Sequence, residues 1–452
     1  MKTGKILNKI IAATCAAVSL VPLAACGSTP NELESRVDEY GNKIVTIMFH
    51  KASGTPEATA YKEVIDAFVT AHNNEIIVEA EYVNQSAGVN QYQTTLTQKY
   101  KDGGGALYDI IAYDAPLCAG YAQSGMLYNS TELLGDYVNE FVPNSIPKYN
   151  GNVYGLPIQE ASAGFYINKE WFSKAKIKDS EIESYKKNGW TYDDFYKVCG
   201  KLKSAGCSNP VDFQLGSSDK ETRTFLMYPF GYSAGGDYAT ADGKTVTDHF
   251  NSENTAKGVE FIKKCIDNKY TNKNIGSTDF LSKKQNEAGS VAMFLSAGWT
   301  ITQLKGSYSG NFNGGYGEGW DILPYPSASK ASAASATGSW CFGITDNGIR
   351  DKSVAVELIK WLTSAESAQT IADKTGMLNA RTDAKYTENT PEKFFRDQLL
   401  ATGKARPAMT AYADFTTEFN LMLDDFTNGG KDVLTTLNER ASSLQDKINR
   451  NR

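Results

Sequence analysis

The sequence predicts an α/β fold, a parallel sheet with helices on its faces. Short β-branched runs alternate with longer helical ones from the start of the body, the order that gives parallel strands joined by crossover helices. The chain has 452 residues, 41% hydrophobic and 22% charged, an ordinary soluble globular composition. At that length about two to three domains can each bury a core.

Each element follows from local pattern. Lys43–Phe49 is short and β-branched, bounded by Gly41-Asn42 and a Ser53-Gly54 turn, and reads as a first strand. Glu57–His72 places Tyr61, Val64, Ile65, Phe68 and Val69 at helical spacing. Glu75–Tyr82 alternates as a second strand. Tyr92–Tyr100 is helical and ends at Gly103-Gly104-Gly105, and Asp109–Ala112 is a third strand. Further on, a strand runs through Phe165-Tyr166-Ile167. Thr191 caps a helix, with Asp194 at the capping-box distance. Asn254–Ile266 is amphipathic. Ser290–Leu295 is a strand ending at Gly298-Trp299. Asn311–Gly319 is a Gly/Asn-rich loop, and Pro324-Tyr325-Pro326 leads into a Ser/Ala connector. Trp340–Thr345 is a strand, Ser353–Leu362 a helix, and Met409–Lys447 mostly helical. No internal repeat is evident.

The N-terminus sets the expected compartment. Lys2, Lys5 and Lys9 precede an apolar run, Ile10 to Leu23, too short to span a bilayer, which needs about 20 residues. It ends in Leu23-Ala24-Ala25-Cys26, which resembles a bacterial lipobox. Residues 1–25 are therefore expected as a cleaved export signal and Cys26 as the lipidated residue. Residues 26–42 follow as a flexible tether, with the body held at the extracellular face of the cell membrane. The formal charge of −6 argues against a nucleic-acid partner, which would require a basic face.

Only three histidines occur, His50, His72 and His249, which leaves little room for histidine-based catalysis or metal clusters. The five cysteines beyond the signal are Cys118, Cys199, Cys207, Cys265 and Cys341, with no CxxC pair, so zinc is not expected. Cys199 and Cys207 either bridge locally or remain buried thiols. No cofactor is implied.

The order of blocks carries a family resemblance. Tyr108-Asp109-Ile110-Ile111, Gly120–Gly125 (GYAQSG), Tyr154-Gly155-Leu156-Pro157 and Tyr166-Ile167-Asn168-Lys169 are followed by Trp190-Thr191, Gly235-Gly236 and Gly298-Trp299. Pro324-Tyr325-Pro326, Phe342-Gly343-Ile344 and Lys360–Ser364 (KWLTS) complete the series. From about residue 43 to 447 the chain resembles the carbohydrate-binding extracellular solute-binding proteins of bacterial ABC importers, the family that includes maltose-binding protein. The resemblance implies a two-lobed periplasmic-binding-protein-like fold with a hinge and an interlobe ligand cleft. It implies 43–153 plus 338–370 as one lobe and 154–337 plus 371–452 as the other. The crossings are expected near Asn152–Leu156, Pro324–Gly338 and Ala365–Thr375. It further implies a monomer that binds a di- or oligosaccharide and delivers it to membrane permease subunits, without being an enzyme.

Sugars present hydroxyl edges and apolar C–H faces, so a cleft needs carboxylates, amides or Arg together with flat aromatics. Trp299 stands where the resembling family places a cleft aromatic. Tyr113 and Asp114 follow the third strand, and ligands bind beyond the carboxyl ends of parallel strands; a turn or N-cap role competes for Asp114. Glu160 lies just past the first expected crossing, and Trp340 just past the second, where a core position competes. Tyr232 and Asp237 flank Gly235-Gly236. Arg381 matches a family position near the cleft, with a surface ion pair as its other reading.

Gly231-Tyr232-Ser233-Ala234-Gly235 fits the G-x-S-x-G elbow of α/β-hydrolases, which would make Ser233 a nucleophile. Pro229 before it and a Gly-rich stretch after it deny the strand–elbow–helix context. Gly243-Lys244-Thr245 lacks a P-loop, because Tyr238 stands where Gly is needed. ATP hydrolysis is therefore expected in a separate subunit. A binder of a non-sugar solute and a glycosidase with two facing carboxylates are the remaining alternatives.

Overall fold

The structure, a computed structural model, describes residues 34–83, 91–102, 108–271, 273, 291–305, 314–338, 340–429 and 431–450. The expected signal, Cys26 and Gly103-Gly104-Gly105 lie outside the described residues. In chain order the strands are β1 (Lys43–Phe49), β2 (Ile76–Tyr82), β3 (Ile110–Asp114), β4 (Lys148–Tyr149), β5 (Asn152–Val153), β6 (Leu156–Pro157) and β7 (Ala163–Asn168). They continue with β8 (Asn209–Asp212), β9 (Val291–Ala297), β10 (Trp320–Leu323), β11 (Ser335–Thr337), β12 (Trp340–Ile344) and β13 (Gly403–Ala405).

Two sheets make two α/β lobes. The first runs β2-β1-β3-β12-β6, with β1 parallel to β2 and β3 and with β12 antiparallel to β3 and β6. The second runs β10-β7-β9-β8, antiparallel except for β8 beside β9. In lobe 1, helix Pro56–Ala71 packs Tyr61 and Phe68 into the same core as Phe49, Phe342 and Leu358. Its start is fixed by Thr55, whose hydroxyl accepts from Ala58 N at 3.2 Å, and by Pro56 in the first turn. In lobe 2, strand alternation feeds two layers. Phe165, Ile167, Met293 and Leu295 enter one core, while Tyr166 and Phe294 stack on the other face, centroids 4.9 Å apart. The predicted capping box stands: Thr191 Oγ1 accepts from Asp194 N at 3.2 Å, and Asp194 accepts from Thr191 N at 3.1 Å.

The cores change hands at three places. Ile158 packs in lobe 1 and Ala161 in lobe 2, and Ala336 packs in lobe 2 and Trp340 in lobe 1. Ala380 is the last lobe 1 core residue before Phe395 enters the outer cluster of lobe 2, which Leu378 already touches. The first crossing is thus later than Asn152–Leu156. Ala365–Thr375 is no crossing but an eleven-residue lobe 1 helix. Ser364 caps it, accepting from Ser367 N, and Gly376 ends it at φ +70°. Residues 34–42, expected in the tether, are held on lobe 1. The Arg36 carbonyl accepts from Ile44 N at 2.9 Å, its guanidinium pairs with Asp109, and Asp351 N donates to the Glu34 carbonyl. Cys199 and Cys207 are buried thiols. Among the described residues no helix is long and apolar enough to cross a membrane.

Candidate ligand cleft

A cavity of about 550 Å³ lies between the lobes. Lobe 1 contributes the loop after β1 (Lys51, Ala52, Thr55), the first turn of helix Pro56–Ala71 (Pro56, Glu57), Trp340, Lys374 and Thr375. Lobe 2 contributes Asp219, Thr222, Trp299 and Thr302, and the crossings supply Gln159 and Met377. The position follows from topology, since the wall on the lobe 1 side lies beyond the carboxyl ends of parallel strands.

Trp299 opens helix Trp299–Lys305 directly after β9 and Gly298, so the strand end aims it out of the core. It is half-buried against Phe225. Trp340 begins β12 opposite Asp114, so these two side chains share one face of the lobe 1 sheet. Gln159 is 4% exposed, and among the described residues its Oε1 has no hydrogen-bond partner. A buried amide oxygen left unpaired costs about 1–3 kcal/mol, so this acceptor is a standing demand for a donor.

Asp114 does not line the cavity. It is buried and bidentate to Arg406 at 2.6 and 2.7 Å, and Arg406 also pairs with Glu221 at 2.6 Å. Tyr412 and Thr416 donate to Glu221 at 2.6 and 3.0 Å. Arg406 follows β13, which pairs with β11 of lobe 2, so this network joins the lobes beside the second crossing. Burial pushes the Asp114 carboxyl up, and the guanidinium only partly offsets that.

Glu160 is likewise not at the cavity. Its backbone pairs with Leu378 of the third crossing, N–H donating at 2.7 Å and carbonyl accepting at 3.1 Å. Its carboxylate accepts from Thr337 Oγ1 at 3.0 Å and Gly338 N at 2.9 Å, in the second crossing. One fully buried residue therefore stitches all three crossings. Burial raises its pKa, opposed by these neutral donors.

The remaining expected residues are placed elsewhere. Tyr113 alternates to the opposite face from Asp114 and is buried, its hydroxyl donating to the Tyr154 carbonyl at 3.2 Å. Tyr232 packs edge-on between Tyr228 and Tyr238 in lobe 2. Asp237 pairs with His249 Nδ1 at 2.7 Å on that lobe. Arg381 is a lobe 1 clamp, bonded to Asp383, Glu140 and the Thr363 carbonyl and stacked over Phe141. Ser233 is buried after a helical turn, and its Oγ donates to the Pro229 carbonyl at 2.7 Å, a helix-like back-bond rather than a nucleophile elbow. Among the described residues no group of three or more His, Cys, Asp or Glu is arranged to hold a metal ion.

The model of a family described as bacterial extracellular solute-binding protein matches residues 63–402, about three quarters of the chain. The chain belongs to that family. Curated binding proteins of Brucella abortus and Brucella suis are 26% identical over 182 residues, 39% of this chain. The match spans about two fifths of the length of those relatives. Solved structures share the fold of this solute-binding protein. The GacH receptor of Streptomyces glaucescens superposes with a TM-score of 0.69 at 18% identity, covering 90% of this chain and 98% of that one. The cyclic α-maltosyl-1,6-maltose binding protein of Arthrobacter globiformis gives 0.73 at 17%, covering 91% and 100%.

Of the fourteen residues that line this solute-binding protein's cavity, sequence reasoning named Trp299 and Trp340 and missed the rest, Gln159 among them, and it missed His50 and Arg406 nearby. Gln159 carried a signal, as the neighbour of the candidate Glu160 just past the first expected crossing. His50 directly follows β1, and Arg406 sits in Ala405-Arg406-Pro407. Neither position shows from sequence spacing what it faces.

Proposed function

We propose that this protein captures a carbohydrate for a bacterial ABC importer, held at the outer face of the cell membrane through a lipid on Cys26, and that it binds without catalysing. The observation that carries the sugar is a cavity lined by an indole from each lobe and by Gln159, whose buried carbonyl oxygen has no hydrogen-bond partner among the described residues. Indole faces suit the apolar C–H faces of a sugar, and the amide oxygen suits a hydroxyl. About 550 Å³ falls in the range of small-ligand sites and suits a di- or short oligosaccharide. The GacH receptor is described with acarbose, and a Thermotoga lettingae relative of the fold with α-D-tagatose. Because the indoles belong to different lobes, bound sugar favours the lobes being together, and the closed pair is the form presented to the permease. ATP hydrolysis belongs to a separate subunit.

The test is calorimetry of the mature chain against mono- and oligosaccharides, from tagatose to maltotetraose. Binding of at least one sugar, weakened by Trp299→Ala, is expected. Silence across sugars with a response to peptides or other solutes would overturn the sugar and keep the fold.

A further inference from the structure

His50 is fully buried directly after β1, and its imidazole lies flat against the indole of Trp340. The ring centroids are 3.7 Å apart and the planes 7° from parallel. Tyr92 meets the same indole edge-on, at 5.5 Å and 81°. Tyr92 is itself fixed, its hydroxyl donating to the Ala112 carbonyl at 2.5 Å. Trp340 also lines the interlobe cavity. With one face covered by imidazole and an edge held by Tyr92, the indole, 8% exposed, has only its opposite face to offer a ligand.

We infer that His50 is a positioning residue for Trp340, a flat backing that fixes the indole so that its other face is ready for the apolar face of a sugar. The inference rests on the sugar-binding reading above. Its physical basis is preorganisation: an indole with empty space behind it swings between rotamers, and binding must then freeze it. Among the described residues the polar neighbour of the ring is Glu57, whose Oε1 lies 3.2 Å from Nε2, and Nδ1 has no hydrogen-bond partner. Burial outweighs Glu57 and pushes the His50 pKa down to about 4, so near neutral pH two uncharged rings are stacked. The charged and titratable groups around the pair are Glu57 and Tyr61 on helix Pro56–Ala71, Lys51 on the loop, Tyr92 on helix Gln91–Asp102, and Asp114 across the strand pair.

The test uses the mature chain labelled with 5-fluorotryptophan. The Trp340 resonance is identified by its loss in Trp340→Phe. Calorimetry with maltotriose runs in parallel. His50→Asn keeps a polar side chain and removes the ring, and is expected to move or broaden the Trp340 resonance and to weaken maltotriose about three- to tenfold. His50→Phe restores a flat ring and is expected to keep one sharp Trp340 line and an affinity close to wild type. His50→Leu fills the space without a ring and is expected to behave like His50→Asn, which separates stacking from loss of volume. An unchanged Trp340 resonance in both His50→Asn and His50→Leu overturns the role of His50. Should Trp340→Ala leave maltotriose binding unaltered, or wild type give no heat with it, the stacking of this sugar on Trp340 fails instead, and the resonance alone decides whether His50 fixes the ring. If the ringless variants do not fold, a moved or broadened Trp340 line in His50→Phe overturns the inference, and a sharp one supports it.

Discussion

Replacing Arg406 by methionine removes the cation that buried Asp114 and half-buried Glu221 share across the lobes. The Arg406 side chain is 4% exposed, Asp114 9% and Glu221 22%, so little water reaches the site to take its place. Methionine fills the stem of the arginine but leaves Asp114 without either of its two short bonds. Breaking a buried pair by deleting one partner typically costs about 3–5 kcal/mol, because the remaining charge is stranded. For a lobe of this size that corresponds to a fall of roughly 6–20 °C in Tm. The assay is thermal and urea unfolding of wild type, Arg406→Met, Asp114→Asn and the double variant. Asp114→Asn is neutral, so combining it with Arg406→Met is expected to recover at least about 1.5 kcal/mol of the loss. Full recovery is not expected, since Glu221 still faces the methionine, although Tyr412 and Thr416 hold it. A Tm drop below about 2 °C for Arg406→Met, or strict additivity in the double variant, would refute the reasoning.

Trp299→Ala and Trp340→Ala each remove an aromatic face worth roughly 1.5–3 kcal/mol of burial, so sugar affinity is expected to fall about tenfold to a hundredfold while each chain still folds. Equal affinities by calorimetry would remove that indole from the site. Burial raises the Glu160 pKa above its ordinary 4.5, so the folded state holds the proton more tightly than the unfolded one. Its stabilising contribution is complete below the unfolded pKa and is lost as pH rises through the raised value. Glu160→Gln, which cannot ionise, should therefore gain in Tm relative to wild type as pH rises above the ordinary 4.5; parallel pH profiles would contradict this. Gly155→Ala would drive a Cβ into the Phe342 carbonyl oxygen of β12, and a loss of about 1–3 kcal/mol in urea unfolding is expected. Ser233→Ala removes one hydrogen bond, about 1 kcal/mol, and is expected to leave sugar affinity unchanged; altered affinity would place Ser233 nearer the ligand than its buried position allows.

Local pattern determined the secondary structure and with it the α/β class. β1 runs over the residues its β-branched run marks, the capping box at Thr191 forms, and helix Ser353–Leu362 has the predicted ends. These features depend on neighbours within a few residues, so the chain alone contains them. The third strand shows the limit. It continues to Asp114, and the period of two then turns Tyr113 into the lobe 1 core and Asp114 towards Arg406, a residue 292 positions away. Strand alternation makes such a pair of neighbours face opposite ways, but the partner that waits on each side is a tertiary fact. The same holds for Trp299 and Trp340, which sequence singled out separately and only the folding of two lobes brings to one cavity. Glu160 and Arg381 looked like surface or cleft charges because charged residues are usually exposed. Their burial became affordable only through donors and acceptors delivered by distant segments, Thr337 and Gly338 for the one, Glu140 and Thr363 for the other. Local propensity thus wrote the elements and their order. Which polar groups are buried, paired or left open to a ligand was decided by long-range packing, where hydrogen-bond satisfaction across the crossings outweighs any local preference.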